Sequence, residues 1–143
     1  MRFMILVKAT AASEAGAPPS ERLMAAMAAY HGELARAGVL LDAAGLRPSS
    51  HGWRIRHDAG GRHLTDGPFT ETKELVAGYT LIQTRSREEA IEWARRFPAP
   101  FEEGEHAAGE IEVRPLFELD DFAPSAARDE FRALMHGDPD PAR

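Results

Sequence analysis

The chain has 143 residues, 43% of them hydrophobic, with a formal charge of −6 and no cysteine. That length suits one domain of about 100–200 residues, and the missing thiols exclude disulfides, thiol nucleophiles and zinc–thiolate sites. The negative balance repels phosphate backbones, so nucleic-acid binding is not expected, and no run reaches the roughly 18 apolar residues that span a bilayer. Met1 to Val7 leads straight into a polar loop without a cleavage pattern, and the expectation is a cytoplasmic protein with no membrane role.

Arg2 to Lys8 carries strand formers on both faces, Phe3, Ile5 and Val7 on one and Met4 and Leu6 on the other, as in a central strand. Ala9 to Pro19 reads as a loop that could act as a flap. Ser20 then caps a helix whose Leu23, Met27, Tyr30 and Leu34 form one apolar stripe, and Gly38 stops it. Val39 to Leu46 gives a second strand. Trp53, Ile55 and His57 alternate with Arg54 and Arg56, a pattern that predicts a strand buried on one face. Asp58 to Gly61 turns the chain back through Arg62 to Thr65, making a hairpin.

Thr65-Asp66-Gly67-Pro68-Phe69-Thr70-Glu71-Thr72-Lys73-Glu74 follows, with a tight turn, a proline and four charges in ten residues. Gly67 is read as supplying a positive φ, and Thr70 as capping a helical turn that begins at Glu71. Leu75 to Thr84 is a long central strand in which Gly78 marks a bulge or a close backbone approach. Ser86 to Glu89 is a capping box, and the helix it opens ends before Pro98. An acidic loop containing Glu102 and Glu105 leads to a half-buried edge strand from Ile111 to Leu119. Ser125 to His136 predicts a short helix, and Gly137 to Arg143 a disordered tail.

This order is α+β, a ferredoxin-like sandwich over residues 1–122 with an inserted β-hairpin and two helices on one face of an antiparallel sheet. Residues 123–143 form a C-terminal extension. Two helices cover one face only, so Met4, Leu6 and the long strand leave an apolar surface that a second copy would cover, and a homodimer is expected.

Candidate chemistry falls on a few residues. Asp66, with Glu71 and Glu74, could act in acid–base catalysis. Lys73 and Arg54 could bind an anionic ligand, and Tyr79 could place a hydroxyl in a pocket. His31 on the first helix and Asp42 on the second strand could form a general-base dyad. Each also has a structural reading: turn and cap chemistry for Asp66 and Glu71, a solvated ion pair for Lys73, packing for Tyr79. His57 and His63 flank the hairpin turn, but two histidines without a third ligand or a recognised spacing make no metal site, and none is assigned. No phosphate-binding glycine loop or dinucleotide fingerprint occurs, and no cofactor is assigned.

The Thr65–Glu74 run resembles the signature of the YCII-related family in its DGPF subfamily. Pro48-Ser49-Ser50, Ala77-Gly78-Tyr79, Glu89 to Ala94 and Glu110 to Pro115 extend the resemblance along the chain. It implies a dimeric α/β barrel in which two sheets pack face to face. Some relatives are proposed to use a first-helix histidine with an aspartate. That histidine falls about three turns before the helix-ending glycine, where Met27 stands here, which implies a dyad absent or rebuilt. The resulting expectation is an uncharacterised homodimer that binds a small molecule near the sheet and the DGPF turn, with cofactor-free acid–base catalysis as its enzymatic form. Relatives found beside extracytoplasmic-function sigma factors imply an alternative, an interaction module in transcriptional response with a protein partner.

Overall fold

A computed structural model of the chain describes residues 1–99 and 109–137. The acidic loop with Glu102 and Glu105 and the tail 138–143 lie outside the described residues. The strands are β1 (Arg2–Lys8), β2 (Leu40–Gly45), β3 (Trp53–Asp58), β4 (Gly61–Asp66), β5 (Val76–Gln83) and β6 (Ile111–Pro115). The helices are α1 (Ala11–Glu14), α2 (Glu21–Arg36), α3 (Arg87–Arg95) and α4 (Ala126–Met135), with short 3-10 turns at Ser49–His51, Thr72–Glu74 and Leu119–Asp121.

Four strands form one antiparallel sheet in the order β2-β5-β1-β6. The fold is α+β with open sheets. The long strand β5 and the apolar β1 take the two central places, as their apolar content predicts, with one face in the core and the other half-buried. The shorter, more polar β2 and β6 take the edges, and β6 stops at Pro115 rather than continuing to Leu119.

Helices α2 and α3 lie on the same face. Phe3, Ile5 and Ile82 from the sheet meet Tyr30 and Leu34 of α2, Ala90 of α3 and the following Phe97 in a single core. Ile5, Leu34 and Ile82 are fully buried, and each contributes about 1.5–3 kcal/mol through removal of its side chain from water. The Tyr30 hydroxyl crosses between helices to donate to the Trp93 carbonyl at 2.8 Å, and its ring meets Phe97 edge to face at 5.2 Å. Burial pushes the Tyr30 phenol up to about 12.

Side-chain caps start the helices where the sequence places them. Ser20, Ser86 and Ser125 accept from the third residue of α2, α3 and α4 respectively. Glu89 reaches back to the Arg85 amide at 2.8 Å, one residue before the position a full capping box uses. Gly38, at φ 70°, turns the chain out of α2.

Three local expectations change. The segment expected as a loop after β1 contains α1, closed by a Thr10–Ser13 capping box. The turn after Phe69 is a 3-10 turn at Thr72–Glu74 preceded by Glu71, without a side-chain cap from Thr70. The β3–β4 hairpin forms its own two-stranded sheet, and every residue of both strands is exposed, so the apolar side of β3 is not buried within the chain. Alternation records which side chains share a face; it does not supply the surface that covers them.

Candidate functional site

The helix face of the sheet holds His31. Its Nδ1 lies 2.7 Å from the Met27 carbonyl, which can only accept, so Nδ1 carries the proton and donates. In the neutral imidazole Nε2 then accepts from the Thr80 hydroxyl at 2.8 Å. Thr80 is buried at 1% exposure, so this bond satisfies a hydroxyl that would otherwise be stranded in the core. Sequence alternation along β5, which turns Thr80 to the core face, is the signal that marks it.

Asp42 is not His31's partner. β2 pairs with β5 as Leu40 to Ile82 and then, after an extra residue, Asp42 to Leu81. Without that bulge Asp42 would stand opposite Thr80, on the face His31 reaches. The bulge moves it to the other face, where it accepts the Tyr79 hydroxyl at 2.8 Å on Oδ2 and the Ala43 amide at 2.8 Å on Oδ1. The two expected dyad members therefore lie on opposite faces of the sheet. The hydrogen bond from Tyr79 to Asp42, reinforced by the carboxylate charge, raises the phenol pKa and holds it protonated.

The register defines the surroundings of this pair, because directly opposed residues share a face. Leu81 sits between Asp42 and Met4, and Met4 is opposite Arg114; Tyr79 sits between Ala44 and Leu6, and Leu6 is opposite Glu112. Met4, Leu6, Tyr79 and Leu81 are half-buried, with exposed Asp42 along one edge and Glu112 and Arg114 along the other. The result is an apolar strip carrying a phenol–carboxylate pair.

Of the remaining expected residues, Arg54 joins a loop junction built around Phe69 and Ser49. Phe69 donates its amide to Ser49 Oγ at 3.0 Å, and the Arg54 guanidinium lies 3.8 Å over the Phe69 ring. Ser49 in turn donates its amide and hydroxyl to the Glu14 carboxylate at 2.9 and 2.5 Å. Gly67 donates to the Gly52 carbonyl at 3.0 Å and lies so close to Ser49 that a Cβ on it would stand 1.8 Å from the Ser49 carbonyl oxygen. Its φ is not positive, so Gly67 is needed for close approach rather than for a left-handed turn. Three segments are thereby joined: the end of α1, the Ser49–His51 turn and the DGPF turn. Glu14 carries no sequence motif of its own, and its role appears only through the junction.

Asp66, Glu71 and Lys73 are exposed, and their side chains have no hydrogen-bond or ion-pair partner among the described residues. Asp66 ends β4 opposite Trp53. His57 and His63 fall on opposite faces of the hairpin, paired across from Arg62 and Arg56, and His63 bonds Asp58 at 3.0 Å. Among the described residues no group of three or more His, Asp or Glu is placed to hold a metal ion. No described helix is long and apolar enough to cross a membrane.

Comparison with known proteins matches residues 1–120 to the YCII-related domain. The chain belongs to the YCII-related family. It is also 38% identical over 96 residues to the uncharacterized protein R00369 of Rhizobium meliloti (strain 1021), a match that covers 67% of this chain and 74% of that protein. The YCII-related region takes in all six strands, α1 to α3 and both the phenol–carboxylate pair and the loop junction, and leaves α4 outside.

Proposed function

We propose that this YCII-related protein, of the DGPF subfamily, works as a homodimer of ferredoxin-like sandwiches whose open sheet faces meet and hold a small molecule at the Tyr79–Asp42 pair. The observation that carries this reading is the placement of a hydrogen-bonded phenol and carboxylate on a sheet face whose centre, Met4, Leu6 and Leu81, is apolar and half-buried. Apolar walls with a few placed polar groups are the usual composition of a small-molecule site.

The pair also favours one kind of ligand. Tyr79 spends its proton on Asp42, so the lone pairs of the phenol oxygen and the carboxylate face outward as acceptors. They suit a ligand with an apolar or aromatic body and an O–H or N–H donor. Once a second sheet covers the face and excludes water, Asp42 can take that proton as a general base while Tyr79 holds the carboxylate in place. Lys73, Glu71 and Asp66 are not needed for this step.

A thermal-shift screen with small hydroxylated and amino aromatics tests the reading. Hits should raise the melting temperature of the wild type and lose that effect in Asp42→Asn and Tyr79→Phe, whose own melting temperatures stay close to wild type. Hits that stabilise all three proteins equally would place binding elsewhere. A stable complex with a transcription protein, in the absence of any small-molecule hit, would support the interaction-module alternative instead.

A further inference from the structure

The open face of the sheet carries its charges in an order. One row across it reads Asp42, Leu81, Met4, Arg114, acidic at the β2 edge, apolar in the middle and basic at the β6 edge. The neighbouring row runs from Ala44 through Tyr79 and Leu6 to Glu112. The other charges on this face have opposite charges beside them in the same chain. Arg2 pairs with Glu118 at 2.9 Å. Lys8 stands next to Glu110, to whose carbonyl its amide donates at 3.0 Å, and diagonally from Glu112. Arg114 is left over: it is exposed, and its guanidinium has no hydrogen-bond or ion-pair partner among the described residues, Glu112 included.

Two sheets packed in the aligned way about a two-fold axis can place that axis along the rows or along the strands. An axis along the rows brings the two copies' Asp42 carboxylates to the same edge, where like charges are covered together, and sets Arg114 on Glu112 of the partner subunit. An axis along the strands, through the middle of the sheet, lays each row reversed over its own copy. Leu81 then covers the partner's Met4, Asp42 faces the partner's Arg114, and the two Asp42 edges stand about 14 Å apart across four strands. We propose that Arg114 of the partner subunit completes each Tyr79–Asp42 site in this second arrangement, twice per dimer. Packed sheets lie about 10 Å apart, a gap that a long arginine and a short aspartate bridge together. Asp42 already accepts from Tyr79 and Ala43; a single guanidinium N–H fills a third of its roughly four lone-pair sites and leaves one for the ligand's donor. Arg114 is thus a positioning residue for the carboxylate. The assignment rests on the sheet-face pairing of the proposed function and adds the direction in which the two copies lie.

Charge reversal tests it. Arg114→Asp, Asp42→Arg and the double variant are made in the full-length protein; both positions are exposed, and circular dichroism checks that the fold is kept. Sedimentation equilibrium gives the dimer dissociation constant of each. Either single variant sets like charges against each other twice per dimer and should weaken dimerisation at least about a hundredfold, while the double variant restores opposite charges and should return to within about tenfold of wild type. An Arg114→Asp dimer of wild-type strength, or a double variant that does not recover, would overturn the contact and leave the sheet-face pairing standing. Recovery of Arg114→Asp by Glu112→Arg instead would also overturn it, by placing the axis along the rows. A monomeric wild type would overturn both the contact and the pairing.

Discussion

Gly67 shows how a single residue can be read correctly for the wrong reason. Asp-Gly-Pro predicts a turn, and a turn is there, but the glycine is required by the Ser49 carbonyl 1.8 Å from where a Cβ would sit. Backbone cannot yield as a flexible side-chain tip does, so Gly67→Ala should cost about 2–3 kcal/mol, read as a lower midpoint in urea. Tyr30 gives a second prediction. Its phenol is raised to about 12 by burial, so the folded state keeps a proton that the unfolded chain, with an ordinary phenol near 10, gives up. The stability from this group is therefore whole below pH 10 and is lost as pH rises from about 10 to about 12. Tyr30→Phe should lower stability by about 1–2 kcal/mol at neutral pH, since the Trp93 carbonyl loses its donor, and should remove this group's share of the alkaline decline. Denaturation curves at pH 8, 10 and 11 on both proteins check the sign.

At the scale of elements, Ser49 is the shared post of the loop junction, since it gives two hydrogen bonds to Glu14 and receives one from Phe69. Ser49→Ala removes the hydroxyl from both partners and should cost about 1–3 kcal/mol, with faster amide exchange at Phe69 but not in β1 or β5. The elements themselves were legible because their signals are local: the α2 stripe, the Ser20 and Ser86 caps, the alternation of β5 and its central place. What was not legible depends on register and on cover. One extra residue between Leu40 and Asp42 moves the carboxylate from His31's face to Tyr79's, and hydrophobic alternation does not reveal a bulge in a strand as short and mixed as β2. The same limit applies to β3, whose alternation is real and whose apolar side is exposed. Glu14 was missed for a related reason, because its partner Ser49 lies 35 residues away in the sequence.

For the whole molecule, one ion pair fastens the two ends of the sheet region. Arg2 donates to both carboxylate oxygens of Glu118, at 3.1 and 2.9 Å, and these bonds hold Glu118 below the usual carboxylate range. A depressed carboxylate contributes stability that is present above its unfolded pKa and is lost as pH falls through the folded one. Glu118→Gln should therefore flatten the acid limb of the stability curve below about pH 4.5, seen by denaturation at pH 3, 4, 5 and 7. The larger claim is that the strip of Met4, Leu6, Tyr79 and Leu81 is closed by a second copy around the Tyr79–Asp42 pair. Light scattering on the wild type and on Leu81→Glu tests it most directly, because Leu81 lies at the centre of that face and away from the core. The account predicts a wild-type mass of twice the 15.7 kDa chain and a folded, monomeric Leu81→Glu. A monomeric wild type, or a Leu81→Glu dimer of unchanged strength, would contradict it.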